Sequence, residues 1–175
     1  MDYHTLVLFS GLPGTGKTAL AQLLASKLRI PLFSKDRIQS NLRAQGLADR
    51  NTADGYHLMF DLADEQLALG VRVVLDAVFP MREFRSAAAG LAARHAVRFC
   101  PVYCFCSDEE LWQDRMRDRK RYVPNWTPVD WSEVKRLQTL YEPWESGAAL
   151  SVDAVNALER NLELVLSWVH SGDYA

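Results

Sequence analysis

Short apolar runs of strand length alternate along this chain with longer stretches whose apolar residues recur at helical spacing. The runs predict strands over residues 5–9, 30–33, 71–76, 97–105 and 148–152. The longer stretches predict helices over residues 19–28, 34–44, 55–69, 81–95, 108–121, 129–141 and 154–170. Such an alternation is typical of an α/β fold, in which a mostly parallel sheet is covered by helices on both faces.

Polar and turn-forming residues mark several of these boundaries. Ser34 stands where an N-cap is expected, and Gly70 follows the last apolar position of the 55–69 helix. Pro101 interrupts the fourth strand early, which predicts a bulge or an edge position there, because proline cannot donate a hydrogen bond to a neighbouring strand. Residues 46–54 and 122–128 are predicted to be loops.

The first strand and the first helix are joined by Gly11-Leu12-Pro13-Gly14-Thr15-Gly16-Lys17-Thr18. This segment matches the phosphate-binding pattern G-x-x-x-x-G-K-[ST] at every fixed position and in the required strand–turn–helix context. Its glycines allow positive φ, so that backbone amides can surround an anion at the positive end of a helix dipole. Lys17 would reach the β- and γ-phosphates of a nucleotide, and the Thr18 hydroxyl would hold Mg²⁺.

The pattern therefore predicts an ATP site. Its predicted nucleotide-binding residues are Gly11, Pro13, Gly14, Thr15, Gly16, Lys17 and Thr18. The alternative is a glycine turn without a ligand, but the complete pattern with these flanks is rare by chance at ordinary glycine usage.

Two carboxylates follow predicted strands. Asp76 ends an apolar run and is a candidate Mg²⁺ ligand, directly or through water, or else only a loop or capping residue. Asp36 follows the second strand, where it would orient an acceptor hydroxyl and take its proton, or else only favour a helix N-terminus. Because ligands in such sheets bind at the carboxyl ends of the strands, both aspartates and the glycine-rich segment are predicted to share one cleft.

The densest positive charge lies in residues 115–121. Arg115 and Arg119 are four positions apart and so share one helix face, which would lie over the triphosphate and neutralise charge during phosphoryl transfer. The predicted lid covers residues 112–130, with a solvated basic face as the alternative.

Three further arginines, Arg37, Arg82 and Arg85, are candidate substrate contacts. Arg37 follows the proposed base. Arg82 and Arg85 stand at a predicted helix start, where the helix dipole disfavours cations, so that a bound anion would explain them.

Composition limits the alternatives. A chain of 175 residues, 49% of them apolar, suits one domain with its own core. The net charge of −2 provides no global basic field for nucleic acid or for an anionic membrane surface. No apolar stretch reaches the length of a membrane span and no charged-then-apolar leader precedes the first strand, so we expect a cytoplasmic protein without a membrane partner.

The three cysteines, Cys100, Cys104 and Cys106, lie at even offsets in one predicted strand and should share a face. We interpret them as small buried apolar residues rather than metal ligands, because no other cysteine or histidine completes a metal-ligand spacing. Neighbours on one face of one strand are also poorly placed for disulfides, which fits a reducing cytoplasm.

The motifs together resemble a known family. They are GLPGTGKT, Ser34-Lys35-Asp36-Arg37, Val-Val-Leu-Asp-Ala, an arginine-rich helix, and Leu-Tyr-Glu-Pro before a short last strand. In this order they resemble the small P-loop kinases grouped with chloramphenicol phosphotransferase, the polynucleotide 5′-kinase domain and zeta-type toxins, with an AAA-type ATP-binding domain. The resemblance covers essentially the whole chain, as one domain over residues 1–175.

The resemblance implies a fold and roles for individual residues. It implies a three-layer α/β/α P-loop nucleoside triphosphate hydrolase fold, with a five-stranded parallel sheet of order 2-3-1-4-5 and a helical lid. The aspartate matching Asp36 serves as general base in that family, and lid arginines matching Arg115 and Arg119 stabilise the transferring phosphate. The segment 46–55, where acceptor contacts are expected, carries no recognisable signature.

We therefore expect an ATP- and Mg²⁺-dependent kinase that acts on a hydroxyl of a small molecule. A kinase for 5′-hydroxyl ends of polynucleotides or RNA is the first alternative, disfavoured by the net charge. A regulatory nucleotide-binding ATPase without an acceptor is the second. The sequence leaves the acceptor and the oligomeric state open.

Overall fold

A computed structural model describes residues 4–48, 53–118 and 129–171. The strands are β1 (Thr5–Ser10), β2 (Leu32–Ser34), β3 (Val73–Asp76), β4 (Arg98–Phe105) and β5 (Leu150–Asp153). The helices are α1 (Lys17–Leu28), α2 (Lys35–Ala44), α3 (Asp54–Ala68), α4 (Arg82–Arg94), α5 (Glu109–Arg117), α6 (Trp131–Leu140) and α7 (Leu158–His170). The predicted α/β alternation is confirmed.

The strands form one parallel sheet of order β2-β3-β1-β4-β5, as the family resemblance implies. The central strand β1 pairs with β3 on one side and β4 on the other. Its carboxyl end, at Ser10, therefore opens at the middle of the sheet edge, between the ends of β3 and β4.

Alternate residues of the central strands fill two cores, because successive side chains of a strand point to opposite faces. Leu6 and Leu8 pack with α3 and α4 on one face, whereas Val7 and Phe9 pack with α1 and α7 on the other. All four are completely buried, and each such side chain contributes about 1.5–3 kcal/mol. The sheet edge that carries the predicted site is thus held by helices on both faces.

Pro101 shows why β4 tolerates a proline. Its pairing with β1 runs residue by residue from Thr5↔Arg98 to Ser10↔Tyr103, so the bulge prediction is wrong. Pairing with β5 begins only at Val102↔Leu150, so Pro101 lies where β4 has a strand on one side. Although β4 is an interior strand, Pro101 therefore has no neighbouring strand on its β5 side, and this is the situation of a proline at the edge of a sheet.

The N-cap position predicted for Ser34 is confirmed, although its hydroxyl is buried and has no hydrogen-bond partner among the described residues. Several predicted element boundaries differ from those of the structure. Helix α5 ends at Arg117, with Asp118 as its C-cap, rather than at residue 121. Helix α7 begins at Leu158 rather than at residue 154, because the segment between it and β5 turns.

The cysteines do not all share one face. Cys100 and Cys104 are buried beneath α1 and α7, where burial raises their thiol pKa to about 11 and about 12. Cys106 lies beyond the end of β4 and packs against a separate small cluster centred on Leu12 and Trp112. None of the described helices is both long and apolar enough to cross a lipid bilayer.

Candidate functional site

The segment 11–18, named the P-loop below, has the backbone that the motif predicts. Gly11, Gly14 and Gly16 have φ values of 134°, 85° and 75°. Gly16 is the N-cap of α1, and the helix begins at Lys17 without an acidic residue in its first turn. The amides of the loop therefore stand at a helix N-terminus whose positive end is available to an anion.

Two of these glycines are also required by space. A Cβ on Gly11 would lie 2.1 Å from the Cys104 carbonyl oxygen, and one on Gly14 would lie 2.6 Å from the Met116 sulfur. No real Cβ approaches other atoms this closely, so a side chain at Gly11 would displace the backbone of β4. The loop is packed directly against β4 and α5.

The tip of the P-loop is held from three directions. The Trp112 indole Nε1–H, on α5, donates to the Pro13 carbonyl oxygen at 2.8 Å, and the Thr15 hydroxyl donates to the Leu12 carbonyl at 2.8 Å. The Gly11 amide donates to the Val78 carbonyl at 3.2 Å. Trp112 begins the predicted lid, yet 94% of its surface is covered and its role here is to fix the loop.

The predicted metal ligands lie together. The Thr18 hydroxyl donates to Asp76 Oδ1 at 3.3 Å, and Asp76 is only 1% exposed. A hydroxyl and a buried carboxylate at the foot of a phosphate-binding loop are the hard oxygen donors that Mg²⁺ prefers, so these residues fit the ion. In the described segments, no group of three His, Cys, Asp or Glu side chains is placed to hold a metal ion.

The sheet register places Asp36 beside these groups. Asp76 of β3 pairs with Phe9 of β1 on one side and with Ser34 of β2 on the other. Asp36 follows Ser34 by two residues, and neighbouring strands are about 4.8 Å apart. The P-loop, Asp76 and Asp36 therefore leave three adjacent strands at one edge, as predicted.

The surroundings of Asp36 were not predicted. Lys35 lies over the Tyr56 ring, 5.4 Å from its centroid, and burial lowers the Lys35 pKa against the opposing effect of Asp36. Burial also raises the pKa of Tyr56, and the charges of Asp36 and Asp76 add to that shift. Lys35, Asp36, Tyr56 and Asp76, named the Asp36 cluster below, thus act on one another electrostatically.

The structure separates the predicted arginines. The Nη1–H of Arg115 donates to the Ala154 carbonyl at 2.7 Å, after β5. Arg37 is exposed on α2, and the exposed Arg82 pairs with Glu145 at 3.0 Å. Arg85 is 4% exposed. Arg119 and residues 119–128 of the predicted lid lie outside the described residues, as do residues 49–52 of the segment 46–55.

A cavity of about 590 Å³ lies against the P-loop, with Leu12 and Thr15 in its wall. It is at the β4–β5 half of the sheet, whereas the Asp36 cluster is at the β2–β3 half. Its walls include Leu12, Tyr103, Trp112, Tyr141 and Trp144. The sequence did not predict this cavity, because the aromatic residues that line it are far apart in the chain.

The chain matches the family described as AAA domain over residues 6–144. Among solved structures it is similar to a gluconokinase from Sinorhizobium meliloti, with a TM-score of 0.69, 18% identity and coverage of 97% of this chain and 93% of that one. It is similar to the Mycobacterium tuberculosis APS kinase CysC in complex with AMPPNP and APS, with a TM-score of 0.71, 18% identity and coverage of 98% and 100%. Identities this low show the fold alone, which is that of small P-loop kinases.

Two further similarities are more limited in what they show. The Chaetomium thermophilum Kti12, in complex with ADP-AlF3, has a TM-score of 0.69 and 16% identity, over 95% of this chain and 100% of that one. A putative 26S proteasome regulatory subunit homolog from Methanothermobacter marburgensis is 36% identical over 84 residues. Those residues are 46% of this chain and only 21% of the archaeal protein, so the similarity covers a small part of that relative.

Proposed function

We propose that this chain, which belongs to the AAA domain family, is a kinase that transfers the γ-phosphate of ATP to a hydroxyl group of a small molecule. The observation that carries the proposal is the register at the sheet edge, where Asp76 pairs with both Phe9 and Ser34. It sets the P-loop and the carboxylates of Asp76 and Asp36 at the ends of three adjacent strands. A phosphoryl donor site and a base for an acceptor need this arrangement.

In the proposed mechanism the P-loop holds the donor. Its amides, at the N-terminus of α1, bind the β- and γ-phosphates, and the buried Lys17 ammonium adds the positive charge that stabilises them as the bond to the leaving group breaks. Thr18 and Asp76 would hold Mg²⁺, which would supply positive charge beside the phosphates during the transfer.

Asp36 acts on the acceptor. Its carboxylate accepts a hydrogen bond from the acceptor hydroxyl, aligns the oxygen with the γ-phosphate and takes its proton as the new bond forms. The location at the start of α2, one strand beyond Asp76, supports this role. A dedicated base directs the phosphoryl group to a hydroxyl rather than to water.

The other predicted residues have less direct support. Arg115 and Arg119 would neutralise charge on the transferring group, although Arg115 is seated on Ala154 in this structure. Arg37, exposed beside Asp36, would contact the acceptor at the mouth of the site. Arg82 would do so only after leaving Glu145.

A small-molecule acceptor is favoured over nucleic acid for two reasons. The net charge of −2 gives no broad basic surface for a phosphate backbone. Base stacking needs an exposed ring face, but Trp112 is only 6% exposed and the Trp144 ring faces the Arg85 guanidinium. We also propose that residues 1–175 form one cytoplasmic kinase domain.

A screen for acceptor-stimulated ADP release tests the proposal. ATP, Mg²⁺ and the protein are incubated with sugars, sugar acids, nucleosides, aminoglycosides, other alcohols and a 5′-hydroxyl oligonucleotide. We expect stimulation by at least one small alcohol. Stimulation by the oligonucleotide alone would favour the polynucleotide kinase, and slow hydrolysis that no acceptor changes would favour the regulatory ATPase.

A further inference from the structure

A buried arginine near the start of α4 lacks the hydrogen bonds that such a group requires. Arg85, in the second turn of α4, is 96% covered, and its Nε, Nη1 and Nη2 atoms have no hydrogen-bond partner among the described residues. Its charge partner is Glu142, whose Oε2 atom lies 3.9 Å from Arg85 Nη2. The Glu142 side chain is half-exposed, and the same oxygen already accepts a hydrogen bond from the Arg82 amide. Burial of a cation with its donors unused is costly unless a ligand supplies acceptors.

Two aromatic rings lie against this guanidinium. Its central carbon lies 4.6 Å from the Trp144 ring centroid and 5.6 Å from that of Tyr141. Trp144 is itself anchored by its indole N–H to the hydroxyl of Ser10, the residue before the P-loop. Ring faces satisfy the faces of a guanidinium, whereas its N–H donors point outward in its plane and suit the two oxygens of a carboxylate, phosphate or sulfate.

Arg85 adjoins the Asp36 cluster through its neighbours. Phe84, the preceding residue, stacks on Tyr56 with centroids 4.1 Å apart. Tyr141, which flanks Arg85, is also close enough to Tyr56 to influence its ionisation. Lys35 also lies over the Tyr56 ring, so Tyr56 connects the surroundings of the two cations.

We propose that Arg85 is the anion-binding residue of the acceptor site, and that the acceptor carries an oxyanion group in addition to the hydroxyl that is phosphorylated. The inference rests on the proposed kinase function. Arg85 would bind the oxyanion through two parallel N–H···O bonds and so orient the hydroxyl toward Asp36. Glu142, exposed and only 3.9 Å away, would remain at the rim of this subsite.

Pairs of alcohols that differ in one charged group test the inference in the intact protein. Gluconate is compared with glucitol, glycerate with glycerol, and a nucleoside 5′-phosphate with its nucleoside. We expect the anionic member of the productive pair to have at least about a tenfold higher kcat/KM, which one bidentate pair readily supplies. R85Q should raise the KM for that member by a similar factor and so remove its advantage over the neutral member of the pair.

Two variants control this result. R94Q removes an exposed arginine at the other end of α4, where it pairs with Asp64, and should behave as the wild type. R85K keeps the charge without the planar fork, and an intermediate KM is expected. R85K also keeps a buried cation beneath the Tyr141 and Trp144 rings. If R85Q unfolds at a much lower temperature than the wild type, the comparison is therefore made with R85K.

A binding readout separates this inference from the kinase proposal. With ADP and Mg²⁺ saturating the P-loop, sodium sulfate is titrated while the melting temperature is followed. We expect a saturable increase in wild type and R94Q that is lost in R85Q. An equal response in R85Q would mean an adventitious ion only and would overturn the assignment, as would equal kcat/KM values within every alcohol pair. Sulfate binding lost in R85Q without acceptor-dependent turnover would reject the kinase and retain the anion site.

Discussion

The P-loop and the Asp36 cluster lie side by side but are built in different ways. The P-loop consists of eight consecutive residues, 11–18, and presents backbone amides whose directions are fixed by three glycines at positive φ. The Asp36 cluster takes side chains from α2, α3 and β3, which meet only when the sheet forms. One site is a local conformation and the other is a product of the tertiary fold.

This difference explains why the donor is easier to recognise than the acceptor. A loop that binds phosphate through its backbone needs particular residues at fixed spacing, and the spacing survives in the sequence. A site made from separate side chains leaves single residues that are common everywhere. Substitutions in the P-loop and in the Asp36 cluster should therefore have separable effects on turnover.

Lys17→Ala should abolish the donor function. Lys17 is 3% exposed at the start of α1, and loss of its charge from the phosphate site should lower kcat by about 10³-fold or more. The measurement is ADP release with the best acceptor of the screen. Lys27→Ala, at the exposed end of the same helix, is the matched control and should retain full activity. Retention of most of the turnover by Lys17→Ala would contradict the assignment of the loop.

Asp36→Asn should break only the acceptor half. The amide cannot take a proton, so kcat should fall by about 10²–10⁴-fold, whereas the affinity for ATP should stay within about twofold. Steady-state kinetics and a nucleotide titration on the same sample measure both quantities. Asp61→Asn, an exposed change on α3, controls for surface charge. Full activity of Asp36→Asn on its acceptor would show that the base is elsewhere.

Gly11→Ala and Gly46→Ala compare a packed glycine with an open one. Both have positive φ, but a Cβ on Gly46 would meet nothing within 4 Å, whereas one on Gly11 would meet the β4 backbone. We expect a loss of unfolding free energy of about 1 kcal/mol for Gly46→Ala and more than about 3 kcal/mol for Gly11→Ala. Urea denaturation measures both, and equal losses would argue against the close packing of the P-loop on β4.

Trp112→Phe should have a smaller effect than Gly11→Ala. It leaves the Pro13 carbonyl without its donor, which costs about 1–3 kcal/mol in a buried setting and loosens the loop tip. We expect several-fold weaker ADP binding by calorimetry. Trp168→Phe is the control, because the Trp168 indole nitrogen has no hydrogen-bond partner among the described residues. Similar losses of affinity in both variants would mean that ring packing alone matters.

The sequence predicted those features that depend on local pattern. The strand order followed from the family resemblance, the position of Asp76 from the apolar run that it ends, and that of Asp36 from the short apolar run that precedes it. The donation from Trp112 to Pro13 could not be predicted, because it joins residues 99 positions apart. The enclosure of Arg85 by Tyr141 and Trp144 likewise depends on how the segment after α6 crosses α4. The N-cap position of Ser34 was predicted correctly, but the burial of its hydroxyl was not.

The central claim is that the γ-phosphate goes to a hydroxyl, and phosphorus NMR tests it most directly. The protein is incubated with ATP, Mg²⁺ and the alcohol that most stimulates ADP release, and the phosphorus-containing products are quantified. The account predicts a phosphomonoester in an amount equal to the ADP formed. Inorganic phosphate equal to the ADP, with no phosphomonoester, would contradict it.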